Sequence, residues 1–168
     1  MTSHIVLIGP RGSGKTTVGQ YLADQFGRAF VDLDDLVVKS AGRSIATLFK
    51  AEGEKRFRDR EQVALATTLT RPALVIATGG GVVVREGNRA LLKSDRVHCV
   101  LLLAGEDELA RRVEADTTSR EMRPNLSAGN ALSDRIAWYR EIASATIETD
   151  GKTPDQVATL VLQSIENA

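Results

Sequence analysis

Ile5-Val6-Leu7-Ile8-Gly9-Pro10-Arg11-Gly12-Ser13-Gly14-Lys15-Thr16 is a short apolar run leading straight into a complete G-x-x-x-x-G-K-[ST] loop. The pattern puts glycine where backbone amides must approach a phosphate and take torsions that side chains forbid. Lys15 then reaches the β- and γ-phosphates of a nucleotide, and Thr16 places its hydroxyl on Mg²⁺. A helix beginning near Lys15 aims its N-terminal amides at the anion. Val18, Tyr21, Leu22, Gln25 and Phe26 continue at helical spacing, a context that a chance glycine-rich turn lacks. Gly12, Ser13, Gly14, Lys15, Thr16 and Thr17 are therefore the expected nucleotide-binding residues.

Outward from that loop the chain alternates between strand and helix patterns. Ala29-Phe30-Val31-Asp32 reads as a second strand, and residues 33–61 hold two helical patterns broken near Gly42 and Gly53. Ser44 caps the second of these. Leu74-Val75-Ile76-Ala77 is a buried-looking strand that stops at Gly79-Gly80-Gly81, and Val97 to Leu103 is another. Glu106 to Glu114 is helical, residues 115–130 are polar and loop-like, and Leu132 to Ala145 is helical again. Thr146-Ile147-Glu148-Thr149 makes the last strand, and Pro154 to Ile165 a closing helix with proline near its start. This order predicts a three-layer α/β sandwich around a parallel sheet of about five strands, with ligands beyond the strands' carboxyl ends. No repeat or linker divides the 168 residues, so one domain is expected.

Composition narrows the function. The 22 basic and 22 acidic side chains cancel, so any anion site is local and neither nucleic acid nor an anionic membrane is an expected partner. Hydrophobic residues at 42% suffice for a sizeable core. The single cysteine, Cys99, lies in an apolar run, is read as a buried strand residue and fits a reducing cytoplasm. The sequence shows neither a secretory leader nor an apolar stretch of membrane-spanning length, and His4 and His98 belong to no metal-spaced cluster.

The acceptor of the phosphate is sought in the residues that follow each strand. Asp32 and Asp34 flank Leu33, and in an extended segment both carboxylates share a side. One then holds Mg²⁺ through water and the other engages an attacking hydroxyl; the competing reading of Asp-Leu-Asp-Asp is a helix cap. Gly79-Gly80-Gly81 reads either as a floor whose amides contact the acceptor or as a tight turn. Arg58 stands in a charged run, where most such residues are only solvated, and Glu61 lies one helical turn further on, placed to hold it. Trp138 and Tyr139 read as packing residues.

Taken in order, these segments resemble the shikimate kinases: the Gly9 to Thr16 loop, Phe30-Val31-Asp32-Leu33-Asp34, Gly42-Arg43-Ser44-Ile45, Glu52-Gly53-Glu54 with Phe57-Arg58, the triple glycine, and Arg123-Pro124. The resemblance implies a P-loop kinase fold with a mobile lid at about residues 113–128 and an acceptor-binding helical region at about 33–61. It implies transfer of the ATP γ-phosphate to the 3-hydroxyl of shikimate, in aromatic amino acid biosynthesis, with Mg²⁺ on Thr16 and Asp32. It assigns Asp34, Arg58, the Gly79, Gly80 and Gly81 floor, and Arg140 to shikimate, and Arg123 to the lid over the phosphates. Lys15, Asp34 and Arg123 are the catalytic set, with Arg112 and Lys152 as further nucleotide contacts. The enzyme so described is a cytoplasmic monomer whose partners are shikimate and ATP.

The stretch Glu114 to Met122 makes the lid look longer than in compact members of the family, Arg120 competes with Arg123, and Asn125 stands where the family usually has leucine. Two other readings remain: a kinase of the same fold acting on gluconate, and a shikimate- or nucleotide-sensing module without turnover.

Overall fold

The computed structural model describes residues 3–116 and 132–167. Five strands form one sheet: β1 (His4–Ile8), β2 (Phe30–Asp32), β3 (Val75–Ala77), β4 (Val97–Leu103) and β5 (Ala145–Glu148). Their order is β2-β3-β1-β4-β5, and every pair is parallel. Leu7 of β1 faces Ala77 on one side and Val100 on the other, so the first strand lies at the centre. The chain leaves β1 toward β2 and later crosses to β4 on the opposite side. Such a reversal opens a crevice beyond the strands' carboxyl ends, and the phosphate loop follows β1 into it.

The helices are α1 (Lys15–Phe26), α2 (Leu33–Ala41), α3 (Ile45–Leu69), α4 (Glu86–Leu92), α5 (Glu106–Ala115), α6 (Leu132–Ile142) and α7 (Pro154–Glu166). Alternation in β1 sorts them onto two faces. Ile5 and Leu7 pack with Val18 and Leu22 of α1 and with Val157, Val161 and Ile165 of α7. Val6 and Ile8 pack with Leu65 of α3, Leu92 of α4, and Tyr139 and Ile142 of α6. Both faces are therefore covered, which is why β1 and β4 read as unbroken apolar runs.

Several segments differ from the sequence reading. Helix α3 does not stop at Glu61 but continues to Leu69, bent at Gly53, whose φ of 77° and ψ of 168° leave the helical region. Helix α4 escaped notice because seven residues, one of them Gly87, are too few to show a period. Helix α6 ends at Ile142, three residues earlier than expected, and β5 begins one residue earlier, at Ala145. The Asp32-Leu33-Asp34 segment is not extended throughout: the strand ends at Asp32 and Leu33 starts α2. Asp34 therefore occupies a first helical turn. Most of the expected lid, with Arg120 and Arg123, lies outside the described residues.

Candidate functional site

The phosphate loop is built as its glycines require. Gly9 has φ of 141°, and a Cβ there would lie 2.2 Å from the Leu102 carbonyl oxygen, so neither the torsion nor the space admits a side chain. Lys15 is 8% exposed, and its ammonium donates to the carbonyls of Gly9 at 2.9 Å and Pro10 at 2.8 Å, and to Ser13 Oγ at 3.3 Å. These contacts hold a buried cation at the mouth of the loop. Thr16 Oγ1 donates to Asp32 Oδ2 at 2.9 Å. The other oxygen of Asp32 accepts from the backbone amides of Asp34 at 3.0 Å and Asp35 at 3.4 Å. One oxygen thus caps α2, and the other faces Thr16.

A cavity of about 1100 Å³ opens beside the loop. It is lined by Gly12, Gly14, Lys15, Thr16 and Thr17 of the loop and by Asp34, Arg58, Glu61 and the three glycines. Ile45, Phe49 and Phe57 add an apolar surface, with the two phenylalanine rings 4.7 Å apart. Arg11 also lines the space and was missed in the sequence, where it is only a variable position of the loop motif. Although the chain is neutral overall, Arg11, Lys15, Arg58, Arg112 and Arg135 all border this one cavity. Asp34, Glu61, Glu106 and Asp116 line it as well, so the described lining carries a small positive excess, which favours anionic ligands.

Arg58 and Glu61 are both buried, and Arg58 Nη1 donates to both Glu61 oxygens at 3.0 and 2.9 Å. Burial raises the Glu61 carboxyl to about 7; the Arg58 guanidinium pulls it back, and the neighbouring Asp34 charge pushes it further up. The two carboxylates converge on Gly79, where a Cβ would lie 2.7 Å from Asp34 Oδ1 and 3.2 Å from Glu61 Oε1. At Gly81 a Cβ would lie 2.1 Å from Arg58 Nη2. The outer two glycines are thus gaps that admit functional side chains against the backbone. Gly80 is different, with nothing nearer than 3.5 Å. Its carbonyl accepts a hydrogen bond from the Tyr139 hydroxyl, and burial keeps that phenol protonated by raising its pKa.

Among the remaining candidates, Arg112 lines the cavity and donates to Glu108 at 2.6 Å and to Thr149 Oγ1 and O at 2.9 and 3.0 Å. Ser13 is 1% exposed, does not border the cavity, and serves as an acceptor for Lys15. Lys152 is exposed and away from the cavity wall. Arg140 is also exposed and does not line the cavity; the guanidinium that does is Arg135, one turn before Tyr139 on α6. Its Nε is buried and has no hydrogen-bond partner among the described residues, which leaves a cationic donor for an anion to satisfy. The phase of α6 explains the difference. Arg135 lies about 40° from the buried Tyr139 around the helix, whereas Arg140 lies about 140° from Arg135.

The sequence model of the family described as Shikimate kinase matches residues 11–166. A shikimate kinase from Rhodopirellula baltica is 39% identical over 168 residues, taking in 96% of this chain and 89% of that protein. One from Saccharopolyspora erythraea is 41% identical over 172 residues, with 98% and 95% of the two chains covered. The solved structure of the shikimate kinase from Acinetobacter baumannii in complex with shikimate has a TM-score of 0.87 to this chain at 37% identity, covering 99% of this chain and 94% of that one. With the phosphate loop, the Asp34–Arg58–Glu61 cluster and the glycine floor set around one cavity, and with similarity running through nearly the whole length, the chain belongs to the shikimate kinase family.

Proposed function

We propose that this chain transfers the γ-phosphoryl group of ATP to the 3-hydroxyl of shikimate. The observation that carries the proposal is that Arg58, Arg135, Asp34 and the glycine floor line the same cavity as the Lys15 loop. Shikimate brings one carboxylate, several hydroxyls and an apolar ring face. The two guanidinium groups suit the carboxylate, Asp34 suits a hydroxyl, and Ile45, Phe49 and Phe57 suit the ring.

In the reaction Asp34 accepts a hydrogen bond from the attacking hydroxyl and receives its proton as the new O–P bond forms and the bond to the β-phosphate oxygen breaks. Lys15 exchanges the Gly9 and Pro10 carbonyls for phosphate oxygens and stabilises the charge spread over them. Arg112 and the loop amides hold the nucleotide, and Arg123 of the lid at about 113–128 closes over the phosphates and excludes water.

Among the described residues no three His, Cys, Asp or Glu side chains form a cluster able to hold a metal by themselves. Thr16 Oγ1 and Asp32 Oδ2, 2.9 Å apart beside the loop, are the hard oxygen donors that Mg²⁺ takes in small number alongside phosphate oxygens and water, so the residues fit the ion. Bound there, Mg²⁺ neutralises charge on the β- and γ-phosphates. The cytoplasm is the proposed compartment. Cys99 supports it, as a buried thiol whose pKa burial pushes up to about 12 and which forms no disulfide. None of the described helices is long and apolar enough to cross a membrane. The working unit in this proposal is a monomer.

The test is ADP release measured with shikimate and with gluconate as acceptors. Turnover confined to shikimate is the expected result. Equal turnover with gluconate, or binding of shikimate without product, would replace this reading with the related sugar-acid kinase or the sensor. Asp34→Asn should lower kcat at least about 1000-fold while ATP affinity stays within about twofold, because the general base is lost but the cradle is not.

A further inference from the structure

We infer that Tyr139 is a positioning residue, its hydroxyl fixing the Gly80–Gly81 peptide of the acceptor floor and locking that floor to the helix that carries Arg135. The inference rests on the proposed acceptor and extends it to a side chain that does not border the cavity.

Tyr139 is fully buried in the core on the α3, α4 and α6 face of the sheet, and its ring alone would account for that place. A phenylalanine would pack equally well, so the hydroxyl calls for its own explanation. That hydroxyl donates to the carbonyl of Gly80, the middle glycine of three. Gly80 is flanked by residues without side chains, and the torsions of such a segment are the freest in any chain. Two turn hydrogen bonds flank it, from the Val82 amide to the Gly79 carbonyl at 3.1 Å and from the Val84 amide to the Gly81 carbonyl at 3.0 Å, and neither engages the Gly80 carbonyl or the Gly81 amide. A trans peptide points its carbonyl and its amide in opposite directions. Anchoring the Gly80 carbonyl on the Tyr139 side therefore fixes the direction in which the Gly81 N–H is offered.

The same contact bridges two parts of the site that are distant in sequence. Arg135 precedes Tyr139 by four residues and shares its face of α6. Arg58 packs over Gly81, where its Nη2 fills the position of a Cβ. Arg135, Glu61 and Arg58 all act electrostatically on the Tyr139 hydroxyl, so both guanidinium groups lie within electrostatic reach of it. One hydroxyl thus sets the spacing between Arg135 and the floor on which Arg58 rests. A carboxylate held by both arginines requires that spacing, whereas the nucleotide does not.

The experiment compares wild type, Tyr139→Phe, Arg135→Ala and the double variant in steady-state kinetics, with shikimate binding in the absence of nucleotide measured by calorimetry. The wild type must phosphorylate shikimate; if it does not, the proposed function falls and this inference with it. For Tyr139→Phe the expected result is a shikimate KM and Kd raised about tenfold, equivalent to about 1.4 kcal/mol, with the KM for ATP within about twofold. The loss should be at least about threefold smaller when Arg135 is already alanine, because the two residues act through one geometry. The calorimetric Kd reports the same loss even where turnover is too slow to measure. An active wild type with a shikimate Kd unchanged in Tyr139→Phe overturns the inference alone. So does a parallel rise in both KM values, which marks general loosening, and so does strict additivity with Arg135→Ala.

Discussion

Arg58 Nη1 donates to both oxygens of Glu61 one helical turn along α3, and the pair is sealed from solvent beside Asp34. Glu61 titrates near 7 in the folded chain against an ordinary value of 4.5, chiefly because burial opposes its charge. Between these two values the folded state keeps a proton that the unfolded chain has released. The site therefore lowers stability as pH rises from about 4.5 to about 7, and the full cost is present above that. Glu61→Gln removes the titration. Its melting temperature minus that of the wild type should climb across this window in scanning calorimetry, and a flat difference would contradict the assignment. At pH 8 the same variant should raise the shikimate KM about tenfold, since Arg58 loses the partner that orients it.

The three glycines are not equivalent. A methyl group at Gly81 would sit 2.1 Å from Arg58 Nη2, whereas at Gly80 it would meet nothing closer than 3.5 Å. Gly81→Ala should displace Arg58 and raise the shikimate KM at least about 30-fold, with the KM for ATP nearly unchanged. Gly80→Ala should stay within about 1 kcal/mol of wild-type stability by denaturant titration. If Gly80→Ala proves the more damaging for shikimate, the floor is not arranged as described.

His4 lies at the opposite end of the sheet, wholly buried, where its Nδ1 accepts from the Leu74 amide and its Nε2 meets the Leu69 carbonyl, both at 3.2 Å. That pairing requires the neutral ring with the proton on Nε2. Burial lowers its pKa below 6.5, and Arg96 and Arg28 add repulsion. As pH falls through 6.5 the unfolded chain takes up a proton that the folded chain refuses, so this site costs stability below 6.5. The half-buried His98 is lowered by desolvation as well and acts with the same sign. Glu61 acts with the opposite sign over part of the range, so the informative quantity is the difference between wild type and His4→Gln. Wild type should lose melting temperature relative to the variant between pH 7 and pH 5.

These contacts show which parts of the molecule the sequence discloses. Features written in short segments were legible: the phosphate loop, the buried strands, the Ser44 cap that accepts from the Thr47 amide, and the Arg58–Glu61 pair set by helical spacing. Features that depend on phase or on distant partners were not. The Asp32–Asp34 pair was read in an extended segment because any of the three aspartates in Asp-Leu-Asp-Asp can cap a helix, which leaves open where strand gives way to helix, yet Asp34 still borders the cavity from its helical turn. The clearances at Gly79 and Gly81 depend on side chains brought in from α2 and α3, which no reading of the glycines alone supplies. Tyr139 was correctly read as a packing residue, but its contact with Gly80 spans 59 positions.

The choice between two arginines of α6 is the sharpest case. The family resemblance assigned Arg140, directly after Tyr139, to the acceptor, but adjacent residues in a helix point about 100° apart. A side chain beside a fully buried tyrosine is thereby turned toward solvent, and Arg140 is exposed. The usable signal was the spacing Arg135, Tyr139, Ile142, at four and then three residues, which runs along one buried stripe and puts Arg135 at its cavity end. Its buried Nε, without a partner among the described residues, gives that position a need for an anion. Arg135→Ala should therefore raise the shikimate KM at least about 10-fold, the loss expected for a charge-assisted contact to a carboxylate, with the KM for ATP less affected. Arg140→Ala should leave both within about twofold, as an exposed charge does. Steady-state kinetics on the two variants decides between them, and a larger loss from Arg140→Ala would restore the earlier assignment.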